Sequence, residues 1–118
     1  MLSAVILGAF GAHGLKELVE PSALITFKTG VFYQFIHALS ILILVILMKI
    51  YSIEKLNQSI IAFIIGIVFF SGSLYLLAIK TLLNLDLSFI GPFTPIGGLF
   101  FIIGWFLVLV NISRNKKF

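Results

Sequence analysis

The side chains suited to chemistry inside the apolar stretches of this chain are few: two imidazoles and a scatter of amides and hydroxyls. Tyr33, Gln34 and His37 are separated by offsets of three and four residues, which share a helix face, so they form a polar cluster within about one turn. An imidazole with an ordinary pKa of about 6.5 changes charge near neutrality. Inside a membrane, His37 could therefore relay protons or hold a ligand; interhelical hydrogen bonding is the plainer use of the same cluster. His13 lies between Ala12 and Gly14 in the glycine-rich stretch GAFGAHG, where tight turns or close helix contact are allowed. Ser71, Ser73 and Tyr75 fall in SGSLY, and Thr94 leads into the last apolar run. No base accompanies these hydroxyls, so bonds to the backbone or to neighbouring helices are expected of them rather than nucleophilic attack.

A closed zinc site wants four ligands. His13 and His37 with Glu17 or Glu20 would need an arrangement that the spacing does not establish, so no metal site is assigned. Cysteine is absent, which excludes disulfides, thiolate metal sites and cysteine nucleophiles. The chain has no GxSxG, HExxH, Walker A or CxxC pattern. Its four acidic residues, Glu17, Glu20, Glu54 and Asp86, all lie outside the long apolar runs. An enzyme would lack its set of acid, base and nucleophile, so neither catalytic activity nor a cofactor is expected.

The elements that must position these groups follow from composition. The 118 residues are 61% hydrophobic and 10% charged, against about 45 to 50% and about 25% in an average soluble domain. Twelve charged side chains cannot cover a soluble surface, so lipid is the expected solvent. A hydrocarbon core of about 30 Å needs about 20 helical residues. Three uncharged runs meet that length: Thr29 to Met48, Ile60 to Ile79, and Thr94 to Ile112. The apolar stretch from Met1 to Leu15 would reach only about 22 Å as a helix. It is read as a short, tilted or incomplete first helix, with a cleaved signal peptide disfavoured because no basic region precedes it. The fold expected is an all-α membrane protein, a bundle of about four transmembrane helices over 1–15, 29–48, 60–79 and 94–112 in a single domain 1–118. Barrel strands would alternate in polarity, and these runs do not.

Short connections make sequential helices antiparallel neighbours. Pro21 is taken as part of the first loop, from Ala12 to Lys28. Gly91, Pro92, Thr94 and Pro95 mark the turn into the last helix. Lys49, Lys55, Arg114, Lys116 and Lys117 then share one side, against Lys16, Lys28 and Lys80 on the other. The positive-inside rule puts both termini in the cytoplasm. The formal charge of +4 reads as contact with anionic lipid heads and topology signals, not as a nucleic-acid stripe. Small residues recur at Ala4, Gly8 and Ala12, and Ala62, Gly66 and Ser73 share a face. Such seams pack helices closely in lipid, within one chain or between copies.

Four blocks carry a resemblance: LGAFGAHGLK at 7–16, TGVFYQFIHAL at 29–39, FFSGSLYLLA at 69–78 and TPIGGLFFIIGW at 94–105. In this order they resemble the bacterial membrane-protein family called domain of unknown function 423, which is similar to eukaryotic transmembrane protein 256. The resemblance covers nearly the whole chain from Leu7 onward. It implies a compact bundle of about four membrane helices and a bacterial inner-membrane address, and no established reaction. Members usually carry a longer apolar segment before the GAFGAHG block, which implies a shortened or misassigned start here. His13, Gln34, His37, Ser71, Ser73, Tyr75 and Thr94 stand as ligand-or-packing candidates. The leading expectation is a structural or interaction component of the lipid bilayer, as a homo-oligomer or with a membrane-protein partner. The alternative is a small permease or channel with a polar path near His37; a water-accessible cavity there would favour it, and a packed centre would favour the first.

Overall fold

The computed structural model describes residues 1–116, which form four helices joined by turns, with no strand among them. Lys117, counted above among the basic residues of the tail, lies outside the described residues. Helix α1 is Leu2–His13, α2 is Pro21–Tyr51, α3 is Leu56–Ile79 and α4 is Phe93–Ser113. The last three are each long and apolar enough to cross a membrane. Helix α1, with 12 residues, extends about 18 Å at about 1.5 Å per residue, short of a full crossing.

Helix α2 begins eight residues before the apolar run does, and its 31 residues make it the longest element. Pro21, expected in a loop, occupies the first helical turn, where its fixed φ fits and its missing N–H goes unneeded. Glu20 before it is extended, and Lys28, also expected in the loop, projects from the helix as an exposed side chain. Lys28 and Lys49 are 21 residues apart on this helix, about 31 Å, so the two lysines bracket one hydrocarbon thickness. The helix stops at Ser52, whose φ of 56° is left-handed, and only a four-residue turn, 52–55, separates it from α3.

Helix α3 is α-helical to Gly66, opens into a π turn over Ile67–Ser71, and returns to α geometry at Gly72. The wider turn shifts the phase of the side chains. Phe63 and Gly66 before it meet α4, while Ser71 at its last position and Tyr75 and Ala78 after it turn to α2. The connection to α4 is closed by local bonds. Asp86 accepts a hydrogen bond from the Ser88 N–H at 3.1 Å, which holds its carboxyl below the usual carboxylate range. Leu87 and Ile90 bury their side chains there.

Between α3 and α4, each helix offers a glycine to the other's ring. A Cβ at Gly66 would strike the Phe101 ring, one at Gly104 would strike Phe63, and one at Gly97 would strike the Phe70 backbone. On α2, Phe27, Gly30, Gln34, His37 and Leu44 form the buried face, at spacings of three, four, three and seven. That repeat suits the shallow crossing of left-handed bundles. Gly30 receives the Tyr75 ring, and Gly11 of α1 receives Phe27. The buried seam of α1 runs Ala4, Gly8, Gly11, with Gly8 partly covered; Ala12, which continued the four-residue repeat, faces outward. A helix repeats at 3.6 residues, so a strict spacing of four drifts off the face within two turns.

Gly97→Ala should destabilise the protein by about 1 to 3 kcal/mol, because the atom it meets is backbone and cannot swing aside. Gly72→Ala meets nothing within 4 Å and should be neutral or better in a helix. Equilibrium unfolding of both variants in mixed micelles checks the contrast, and equal stabilities would refute this account of the α3–α4 contact.

Candidate functional site

All the candidate residues but His13 converge on the interior around helix α2, which offers a polar group at three successive levels and bonds α3 at the first, α1 and α3 at the second, and α4 at the third. At the first level Ser71, fully buried on α3, donates to the Gly30 carbonyl at 2.7 Å. At the second, Gln34 donates from Nε2 to Ser3 Oγ of α1 at 2.8 Å and accepts at Oε1 from the Tyr75 hydroxyl of α3 at 2.6 Å. At the third, the Trp105 indole N–H of α4 donates to His37 Nε2 at 3.2 Å. A further contact joins α3 to α4 directly: the Ser73 and Thr94 hydroxyls lie 2.6 Å apart, and Ser73 donates to the Phe70 carbonyl at 2.9 Å. These two bonds need separate protons, so Thr94 is the donor between the hydroxyls.

The partners of His37 assign its tautomer. Nδ1 lies 2.8 Å from the Tyr33 carbonyl, which can only accept, so Nδ1 carries the proton. Nε2 faces an indole N–H, which can only donate, so Nε2 is bare. The ring is therefore a neutral imidazole with both nitrogens engaged. A proton on Nε2 would set two N–H groups against each other and break the Trp105 bond. Phe101 stacks on the imidazole at 3.6 Å and 8°, and Phe63 meets it edge-on at 5.1 Å. Phe101 can lie there because Gly66 leaves room for its ring.

Two polar groups near the other end complete the inventory. Asn111 of α4 donates to the Lys55 carbonyl at 3.3 Å, fastening the 52–55 turn. Ser59 Oγ is buried without a partner. Its usual acceptor, the carbonyl four residues back, belongs to Lys55 and already receives the Gln58 N–H and the Asn111 amide.

His13 does not join this network. It is exposed at the end of α1, in the last turn where a basic group suits the helix dipole. Among the described residues no group of three His, Cys, Asp or Glu gathers to hold a metal. Tyr33 and Gln34 lie five and six residues past Lys28, about 8 Å along α2 from the edge that this lysine marks. Ser3, Trp105 and Asn111 escaped notice in the sequence. The signal was there for Trp105, since an indole N–H in an apolar helix requires an acceptor. A shallow groove of about 550 Å³ reaches the edge of His37, bounded by Tyr33, Phe70, Pro95, Gly98 and Trp105 among others; its lining is mainly apolar.

Three long apolar helices around a hydrogen-bonded interior define a multi-pass α-helical membrane protein. The chain belongs to the family described as protein of unknown function (DUF423), whose model matches residues 7–98. It is 40% identical over 110 residues to the UPF0382 membrane protein YwdK of Bacillus subtilis, spanning 92% of this chain and 85% of that one. It is 39% identical over 113 residues to the UPF0382 inner membrane protein YgdD of Escherichia coli, spanning 96% and 82%. A UPF0382 membrane protein of Haemophilus influenzae is 38% identical over 114 residues, 96% and 86% of the two chains. No solved structure matches. The family is uncharacterised, so its membership carries a membrane address and no activity.

Tyr75→Phe should cost about 0.6 kcal/mol, the average for a hydrogen bond between membrane helices. Gln34→Leu should cost about 1 to 3 kcal/mol, because it strands both the Tyr75 and Ser3 hydroxyls. The double variant should cost less than the sum. Additivity within about 0.3 kcal/mol in the thermodynamic cycle would show that the Gln34–Tyr75 bond contributes nothing.

Proposed function

We propose that this protein is a non-enzymatic structural or interaction component of the bacterial inner membrane, whose buried polar groups hold its helices in register and whose outer face meets a partner in the same bilayer. The observation that carries this reading is the engagement of every candidate group but His13 with another side chain or with the backbone. Both ends of the Gln34 amide, both nitrogens of His37, and the hydroxyls of Ser71, Ser73, Tyr75 and Thr94 are bonded inside the bundle. A nucleophile needs a base within hydrogen-bond reach, and none of these hydroxyls is bonded to one; a relay through His37 would have to break its bond from Trp105 each time Nε2 took up a proton. The inner-membrane address is supported by the printed name of the Escherichia coli relative. Lys49, Lys55, Arg114 and Lys116 on one side, against Lys16, Lys28 and Lys80 on the other, support cytoplasmic placement of the C-terminus and of the 52–55 turn, with the start of α1 directed to the same side.

A partner helix has a seat available. The groove along α4 presents Leu99, Ile102 and Trp105 beside Gly98, and the absence of a side chain at Gly98 admits close approach. The permease reading would need a polar lining through the bundle at His37, whereas this groove is largely apolar and its histidine is 4% exposed.

Purification in nanodiscs followed by native mass measurement should give an oligomer or a complex with another membrane protein. Its composition should be the same for wild type and His37→Ala, and liposomes holding either protein should show no added proton flux. The chain has no native cysteine, so Ile102→Cys should form a disulfide-linked pair or a cross-link to the partner, with Ile61→Cys as the comparison. A bound small molecule or ion that is lost with His37→Ala, or a proton flux abolished by it, would overturn the reading in favour of transport.

A further inference from the structure

We infer that the end of the bundle where α2, the 52–55 turn and α4 meet is a binding site for the headgroup of an anionic phospholipid, with its phosphodiester held by Lys55, Arg114 and Lys116. These three basic side chains line one open pocket of about 510 Å³, together with Glu54 as the single acidic side chain among the described residues there and with Tyr51 and Asn111 among its polar walls. The basic excess gives the pocket its preference for an anion. The corresponding pocket at the opposite end, between the start of α2 and the end of α3, is lined by one base, Lys80, and one acid, Glu20, and so lacks that excess. Scattered topology signals would not need to converge; here two segments of chain, the 52–55 turn and the stretch after α4, bring their charges to one concavity.

The walls are braced. Asn111, 9% exposed, ties its amide to the Lys55 carbonyl at 3.3 Å, and Ile53 is buried beneath the turn. This fixes the backbone that carries Lys55 against the helix that carries Arg114, so part of the ordering cost of a binding site is already met. The depth suits a lipid rather than a soluble anion. Tyr51 and Arg114 stand just beyond Lys49 and Ser113, where α2 and α4 leave the hydrocarbon and headgroups lie. Within two turns of those ends Ile46 and Ile50 of α2 and Leu109 of α4 are exposed and apolar, as a surface that meets acyl chains must be. A guanidinium matches phosphate oxygens in pairs, and each base near an anionic surface contributes about a fivefold gain in binding, which sets the expected size of the effect.

Protein in a non-ionic detergent, titrated with phosphatidylglycerol or phosphatidylcholine of identical chains and read by native mass spectrometry, tests the site apart from any role in membrane insertion. Wild type should bind phosphatidylglycerol more tightly, with the preference falling as salt rises. Lys55→Gln, Arg114→Gln or Lys116→Gln should each weaken that preference about fivefold, while Lys80→Gln leaves it unchanged. If the variants at this end do not stay folded, as reported by mass and Trp105 fluorescence, charge-retaining Arg114→Lys and the wild-type salt series still decide the matter. Equal binding of the two lipids by wild type, a preference indifferent to salt, or an equal loss with Lys80→Gln would overturn the inference. Displacement of phosphatidylglycerol by an equal concentration of inorganic phosphate would overturn the lipid assignment and leave a site for soluble anions.

Discussion

The arrangement of this bundle rests on the close contact between α3 and α4, where glycines accept aromatic rings. Lipid tails are as apolar as leucine, so burying hydrocarbon against hydrocarbon does not draw these helices together as it would in water. Attraction comes from dispersion, and dispersion falls off within fractions of an ångström of a gap. Gly66, Gly97 and Gly104 let Phe101, the Phe70 backbone and Phe63 approach as far as a helix surface allows. The polar contacts follow from that approach. Phe101 settled over Gly66 is also the ring stacked on His37, and the same face of α4 carries Trp105 to the imidazole.

The hydrogen bonds made possible in this way act asymmetrically. Formed, each contributes little, about 0.6 kcal/mol on average between membrane helices. Unformed, each leaves a polar group in hydrocarbon at a cost of several kcal/mol. Gln34 illustrates the difference, because its amide has a donor end and an acceptor end and each finds a complementary partner on a different helix. A shift of α1 by one residue would strand its donor end, and a shift of α3 its acceptor end. Ser59 is the exception, and its unpaired hydroxyl marks where two other donors, Gln58 N–H and Asn111, already occupy the Lys55 carbonyl.

Much of the fold was legible in the sequence because hydrophobic length is so strong a constraint in lipid. Uncharged runs of about twenty residues leave helices as the available spanning structure, and α2, α3 and α4 lie on the three runs. The start of α2 was not legible by that criterion. Lys28 ends the uncharged run, yet a helix carries on past the membrane surface for as long as its backbone bonds close, and Pro21 is compatible with a first turn as well as with a loop. The π turn over Ile67–Ser71 leaves no compositional mark, although it sets which side chains of α3 meet α4 and which meet α2. In the site, Gln34 and His37 were conspicuous as polar groups in an apolar run. Tyr75 stood out as well, but its pairing with Gln34 did not, nor did Ser3 and Trp105 as partners, since Ser3, Tyr75 and Trp105 lie 31, 41 and 68 residues away from them in sequence and pairing at such separations is set by packing.

Helix α2 is the hub of the bundle, and the order of its polar levels has a structural consequence. Gly30 is matched to α3, Gln34 to α1 and α3 together, and His37 to α4. Each level has different chemistry: a bare carbonyl that accepts, an amide that donates and accepts, and an imidazole nitrogen that accepts from an indole. An exchange of neighbours would therefore not be isoenergetic. Placing α4 where α1 lies would bring the Trp105 donor to the amide level and leave His37 Nε2 without one. Uniform apolar faces in lipid admit many packings of nearly equal energy, and three unlike polar levels on one helix remove that degeneracy with few groups. The same economy explains why conspicuous side chains in this interior belong to its architecture: a histidine that must remain an acceptor to hold α4 cannot also take up a proton without releasing it.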